Sequence, residues 1–213
     1  MSAHNIFGWI ATAFSSVVFT VPINKYINLF KGQLNYEDLP IYSLGAAYSN
    51  CFLWYLYGKL MFSHQLRVCN IIGCGFSLFF ITVYLAYEIK KFIIDTVLNA
   101  LIIFTGTWTA YRTFTSIVTD RPTVGKICII TTLFVLFSPL NLIYRVISEK
   151  NYKLISLPIA IFTIFSGVFW VIYGFLRHNF YIICANLIIS LVGVLQIIVS
   201  EIYKKKISYN RAN

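Results

Sequence analysis

Seven long apolar runs, separated by short polar breaks, limit what this chain can fold into more than any other feature. They fall at about Ile6–Leu29, Leu39–Phe62, Leu66–Tyr87, Phe92–Val118, Gly125–Ile147, Leu154–Leu176 and Phe180–Tyr203. A helix needs roughly 20 apolar residues to cross the hydrocarbon core of a bilayer, and each run is that long. Charged residues make up 11% of the chain, against about 25% in soluble domains, too few for a water-facing surface. The fold expected is an all-α polytopic membrane protein of seven transmembrane helices in a lipid bilayer. Connections are short, so consecutive helices should be neighbours, and no stretch is long and polar enough for a separate soluble domain.

The formal charge of +10 would suit nucleic acid if it were concentrated, but it is not. Basic residues stand singly or in pairs between the runs and cluster only at Lys204-Lys205-Lys206. That is the pattern of loop charges that set membrane orientation. With the N-terminus outside, eleven Lys and Arg fall on the cytoplasmic side and six on the outer side. N-outside with a cytoplasmic C-terminus is therefore expected, and nucleic acid is not a partner. The five cysteines lie in or beside apolar runs without CxxC spacing and read as small packing residues, not as a metal site or disulfides. The N-terminus has no basic n-region and no small-residue cleavage site, so no removable signal peptide is expected. No nucleophile–base or metal-ligand cluster is visible, so neither an enzyme nor a cofactor is expected.

The chain also repeats itself. Leu53-Trp54-Tyr55-Leu56-Tyr57-Gly58 leads across a turn holding His64 and Arg67 to Asn70. Phe169-Trp170-Val171-Ile172-Tyr173-Gly174 leads across Arg177-His178-Asn179 to Asn186, with the same Trp-to-Asn spacing of 16 (70 less 54, 186 less 170). Pro22 precedes the first Trp by 32 residues and Pro139 the second by 31, each Pro inside an apolar run and followed by a basic loop. The division that results is a three-helix repeat over 1–91, a linker helix within 92–122, a second three-helix repeat over 123–206 and a tail over 207–213. One intervening helix returns the chain to the outside, so the repeats run in the same sense, the parallel arrangement of some transporters.

An amide inside a membrane helix faces the bundle interior or a wet cavity, because lipid leaves it unpartnered. Asn70 and Asn186 are accordingly the lead binding candidates, since one amide offers both donors and an acceptor to a hydroxyl. The plain alternative is a hydrogen bond to a neighbouring helix; the equal spacing favours a shared central site. Trp54 and Trp170 could be interface residues or flat apolar surfaces for a ring. Pro22 and Pro139 each remove a backbone hydrogen bond and give either a static bend or a pair of hinges. Trp9 and Trp108 have no repeat partner and read as interface or packing residues.

Pro, then Trp-x-x-Tyr-Gly, then Asn, twice and with a single linker helix, resembles the SWEET (MtN3/saliva) sugar facilitators over nearly the whole chain. The resemblance implies a 3+1+3 helix arrangement and facilitative, bidirectional transport of mono- or disaccharides, with a sugar as partner. It makes Asn70 and Asn186 the substrate-binding asparagines, with Trp54 and Trp170 beside them. It adds Ser15, Val18, Asn50, Val135 and Ser166 around the pocket and favours hinges at Pro22 and Pro139. Where many members have Asp in the outer turn before the seventh helix, this chain has Asn179, so a charged gate there does not follow. Homo-oligomer formation is implied by the resemblance alone.

Glu37, Asp38, Glu88, Asp120, Glu149 and Glu201 read as loop or helix-end residues, and Asp95 lies one turn from Lys91. With no carboxylate at a span centre, passive uniport is expected over proton coupling. A carrier of the PQ-loop type for another small solute, such as an amino acid, is an alternative, but that type has Pro-Gln at the kink where this chain has Pro22-Ile23 and Pro139-Leu140. A seven-helix cargo receptor of related fold is the other. The plasma membrane is the expected location, with Golgi and vacuolar or endosomal membranes as alternatives.

Overall fold

The structure, a computed structural model, describes residues 2–33, 41–89 and 120–212, with side chains described over 2–33, 43–85 and 120–207. Its elements are helical: α1 (Ala3–Phe19), α2 (Ile23–Phe30), α3 (Ile41–Leu60), α4 (His64–Ile89), α5 (Arg121–Val135), α6 (Phe137–Glu149), a 3₁₀ turn (Tyr152–Leu154), α7 (Leu157–Leu176) and α8 (Phe180–Ala212). The run expected at Phe92–Val118, with Asp95 and Trp108, lies outside the described residues, as do Glu37, Asp38, Pro40 and the side chain of Glu88.

Among the described residues, five segments are long and apolar enough to cross a bilayer: Ala3–Phe30, His64–Leu85, Arg121–Glu149, Leu157–Leu176 and Phe180–Ile207. α3 also has 20 residues, but Ser43, Ser49, Asn50 and Lys59 make it more polar than these. Large apolar side chains face outwards, among them Phe79, Phe134, Phe165 and Leu191. In water such a surface would drive aggregation; in a bilayer it is the surface the solvent requires. The protein is an integral membrane protein.

Packing divides the chain into two compact units, one of Phe19–Ile127 and one of Met1–Val18 with Cys128–Asn213. Both boundaries fall inside a helix, in α1 and in α5, so most of α1 belongs with the second three-helix stretch. In the unit of Phe19–Ile127, Tyr26, Leu29, Leu44 and Phe80 form a buried cluster. Tyr26 stacks on Phe80 with ring centroids 4.7 Å apart and donates its hydroxyl proton to the Phe80 carbonyl at 2.8 Å, tying α2 to α4. In the other unit, Ile143, Val146 and Ile155 are buried together, with Val199 and Tyr203 of α8 packed against them. Phe14 of α1 stacks against Phe165 and Phe169 of α7, both at 5.5 Å.

Pro22 and Pro139 each sit at a helical break. α1 ends at Phe19 and α2 starts at Ile23, with Pro22 as its N-cap. α5 ends at Val135 and α6 starts at Phe137, which puts Pro139 in the first turn, where a missing N–H is harmless. The carbonyls that lose a helical donor lie four residues before each proline, at Val18 and Val135.

α3 and α7 have equal length and correspond end to end at a displacement of 116 residues (157 less 41, 176 less 60). The turns that follow them are bonded alike. The Ser63 N–H donates to the Gly58 carbonyl at 2.9 Å and the Phe62 N–H to Lys59 at 3.2 Å; Asn179 donates to Gly174 at 2.8 Å and His178 to Phe175 at 3.1 Å. Phe62 (φ 51°) and His178 (φ 49°) take the left-handed conformation that closes such a helix end. The next residue then caps the following helix: Ser63 Oγ accepts from the Leu66 N–H at 3.2 Å and Asn179 Oδ1 from Ile182 at 3.1 Å. Asn179 thus has a capping role that an aspartate could also fill. Asn179→Ala is expected to destabilise the protein by about 1 kcal/mol, and Asn179→Asp to preserve the cap, as read by thermal unfolding in detergent.

Candidate functional site

Three of the residues marked by sequence meet at one point within the unit of Met1–Val18 and Cys128–Asn213. Trp170, only 4% exposed, donates its indole N–H to Ser15 Oγ at 3.0 Å. Ser166 Oγ lies 2.7 Å from the same oxygen, and Ser15 donates to the Ala11 carbonyl at 2.9 Å. With its own proton on Ala11, Ser15 accepts from both Ser166 and Trp170, which uses both lone pairs of the hydroxyl. Tyr173 stands edge-on to Trp170, with centroids 5.3 Å apart at 85°, and is itself 1% exposed. The indole is therefore fixed in position and plane.

This network makes Ser15 the pivot. Ser15→Ala strips the acceptor from a buried indole and is expected to cost about 1–3 kcal/mol; Ser166→Ala leaves the indole bonded and should cost less. Thermal unfolding of the two variants gives the order, and the reverse order would mean that Ser15 does not hold Trp170.

Asn186 lies on α8 in the same unit, half-buried, and donates one amide N–H to the Ile182 carbonyl at 2.9 Å. Ser190 Oγ donates to the Asn186 carbonyl at 2.9 Å. α7 comes so close here that a Cβ on Gly167 would lie 2.9 Å from the Asn186 carbonyl oxygen and overlap the Ser190 hydroxyl. The glycine thus brings Asn186 against the turn that carries Ser166 and Trp170. Val18 and Val135 are half-buried, each beside its helical break.

The unit of Phe19–Ile127 carries the matching residues. Trp54 is buried and edge-on to Tyr57, at 5.6 Å and 87°. Asn70 is buried and donates to the Leu66 carbonyl at 2.7 Å, as Asn186 does to Ile182. Asn50 is half-buried at the position of Ser166. Gly73 is needed here: a Cβ would lie 2.6 Å from Cys51 Sγ and 2.8 Å from the Phe19 ring. At the shared displacement of 116, Cys51 and Cys74 stand where the other unit has Gly167 and Ser190, so the surroundings of the two asparagines differ.

Each asparagine spends one N–H on its own helix and keeps a carbonyl oxygen and a second N–H, a set that both gives and accepts hydrogen bonds. Sequence reasoning quoted Tyr57 and Tyr173 in the motif but gave them no role; their burial against the tryptophans supplies it. Gly58 and Gly174 also gain a reason, since a Cβ on Gly174 would lie 2.8 Å from Ile183 in the first turn of α8. Among the described residues no group of three His, Cys, Asp or Glu could hold a metal ion. Asp120 and Glu149 stand at helix ends, whereas Glu201, read from sequence as a helix-end residue, lies within α8, which continues to Ala212. Asp120 accepts from the Thr123 N–H at 2.9 Å, and its hydrogen bonds to Thr123 hold the pKa of its carboxyl below the ordinary value. Glu149 pairs with Arg145 and Glu201 with Lys204.

Comparison with known proteins bears on this arrangement. A family profile described as "Sugar efflux transporter for intercellular exchange" matches residues 5–92 and 122–208. Bidirectional sugar transporter SWEET5 of Arabidopsis thaliana is 25% identical over 220 residues, covering 98% of this chain and 90% of that protein. Sugar transporter SWEET1 of Dictyostelium discoideum is 26% identical over 206 residues, covering 92% of each. A solved structure of a eukaryotic SWEET transporter superposes with a TM-score of 0.80 at 18% identity, covering 96% of this chain and 100% of that one, so the fold is shared. With its profile matched over well more than half of its length, the chain belongs to the MtN3/saliva family of sugar efflux transporters, the family of the SWEET proteins.

Proposed function

We propose that the protein is a facilitative, bidirectional sugar transporter that moves mono- or disaccharides down their gradient by alternating access. The observation that carries this reading is the duplicated local structure: buried Trp edge-on to buried Tyr, then a capped turn, then Asn bonded to the carbonyl four residues back, once in each unit. Asn70 and Asn186 exchange hydrogen bonds with sugar hydroxyls. Trp54 and Trp170 lie against the apolar faces of the ring, and Ser15, Val18, Asn50, Val135 and Ser166 shape the surroundings. The sugar-transporter names of the relatives support the substrate class, and neither a PQ-loop carrier nor a cargo receptor is favoured.

Two to four neutral hydrogen bonds at about 0.5–1.5 kcal/mol each and one or two ring contacts of similar size leave only a few kcal/mol net. A dissociation constant near 1 mM corresponds to about −4.1 kcal/mol. Weak binding suits a carrier that must release what it binds. The breaks at Pro22 and Pro139 act as hinges, and the two three-helix repeats, 1–91 and 123–206, are the moving parts. Asp120 and Glu149 at helix ends, and Glu201 paired with Lys204 far from the middle of its span, support uniport without proton coupling, and the protein is not an enzyme. The lysines at the C-terminal end of the last span support N-outside, C-inside insertion, in the plasma membrane, with homo-oligomer formation following the family. Uptake of radiolabelled glucose and sucrose by transport-deficient cells tests the function: flux of at least one sugar is expected, and none from a correctly inserted protein would refute it.

A further inference from the structure

The basic end of α8 is a built surface as well as an orientation signal, and two segments distant in sequence supply it. α8 runs unbroken for 33 residues from Phe180 to Ala212. At 1.5 Å per residue that is about 50 Å, while the hydrocarbon core takes about 30 Å. The helix therefore leaves the core near Val199 and carries Lys204, Lys205 and Lys206 to headgroup depth as an ordered helix. Its end does not hang free. Tyr203 packs on the cluster of Ile143, Val146 and Ile155, and Ser200 Oγ donates to the Tyr152 carbonyl at 3.5 Å. Docking against the α6–α7 connection sets Lys150 and Lys153 at the same end of this unit.

Charge pairing at this end is one-sided. Both nearby acids are already engaged, Glu149 with Arg145 at 2.7 Å and Glu201 with Lys204 at 3.5 Å. Lys150, Lys153, Lys205 and Lys206 are exposed and have no acidic partner among the described residues. Ile202, 54% exposed, flanks the lysines with an apolar side chain at the same level. Exposed ammonium groups beside an apolar side chain, at the depth the helix length gives them, fit one partner chemistry, the anionic headgroup of a phospholipid whose acyl chains lie along α8.

We infer that Lys150, Lys153, Lys205 and Lys206 form a binding surface for anionic phospholipid headgroups in the leaflet at this end of the protein. It makes no use of the sugar-binding residues. Each lysine near an anionic surface adds about a fivefold gain in retention. The test is native mass spectrometry of the full-length protein from micelles doped with phosphatidylserine or with phosphatidylcholine. Wild type is expected to retain phosphatidylserine preferentially, and Lys150→Gln/Lys153→Gln/Lys205→Gln/Lys206→Gln is expected to lose at least about tenfold of that retention. Retention of phosphatidylcholine and the thermal midpoint in phosphatidylcholine micelles should not move. Added salt should lower phosphatidylserine retention by the wild type itself, a readout that needs no variant. Equal retention of both lipids by wild type, undiminished phosphatidylserine retention by the variant, or full displacement by inorganic phosphate would overturn the assignment, the last pointing to a soluble anion.

Discussion

Asn186→Ala is expected to cut sugar uptake by about five- to 150-fold while leaving the protein as stable as the wild type, and Asn70→Ala to do the same. The two effects separate because of where each amide spends its hydrogen bonds. The one structural bond is to the carbonyl of the same helix four residues back, at 2.9 Å for Asn186 and 2.7 Å for Asn70. That carbonyl already serves the helix backbone, and Ala is the better helix former by a few tenths of a kcal/mol. Folding should therefore not suffer. A sugar hydroxyl that loses the amide inside a wet but confined site loses about 1–3 kcal/mol, or some five- to 150-fold. Uptake measured beside thermal unfolding decides the matter. A parallel fall in both would make the asparagines packing residues; unchanged uptake in both variants would remove them from the site.

The second large effect is structural and falls on Gly167. A Cβ there would lie 2.9 Å from the Asn186 carbonyl oxygen and overlap the Ser190 hydroxyl, and the backbone oxygen cannot rotate away. Gly167→Val should push α7 from α8, costing about 1–3 kcal/mol or more in overpacking, and carry Ser166 and Trp170 away from Asn186. Gly45→Ala is the contrast, since nothing lies within 4 Å of its Cβ position. It should raise stability slightly, because Gly is about 1 kcal/mol poorer than Ala in a helix. Thermal unfolding of the pair is the check, and equal midpoints would mean that the helices do not approach at Gly167.

The turn-and-cap pattern shows what could be read in the sequence and what could not. Trp, Tyr, Gly and Asn recur at fixed spacing because each acts on its near neighbours in the chain. Gly58 and Gly174 make room for the next helix, and Ser63 and Asn179 cap it. Local roles leave local spacing, so the repeat was legible, and the family resemblance that rests on it led to the fold. The bond from Trp170 to Ser15 spans 155 residues, and no periodicity announces such a partner. Ser15 was marked only by its match to a family position. For the same reason no spacing announces that α1, which opens the first repeat in sequence, packs on Phe165, Phe169 and Trp170. The pairing of Cys51 and Cys74 with the positions of Gly167 and Ser190 was also hidden, since the residue types do not match.

Flux through the purified protein in sealed liposomes tests the central claim most directly. Radiolabelled glucose and sucrose would be followed inwards and outwards, with and without a proton gradient. The account predicts downhill flux of at least one sugar in both directions, stopping at equal concentrations and unaffected by the gradient. Uphill accumulation driven by pH, or no flux of either sugar through correctly folded protein, would contradict it.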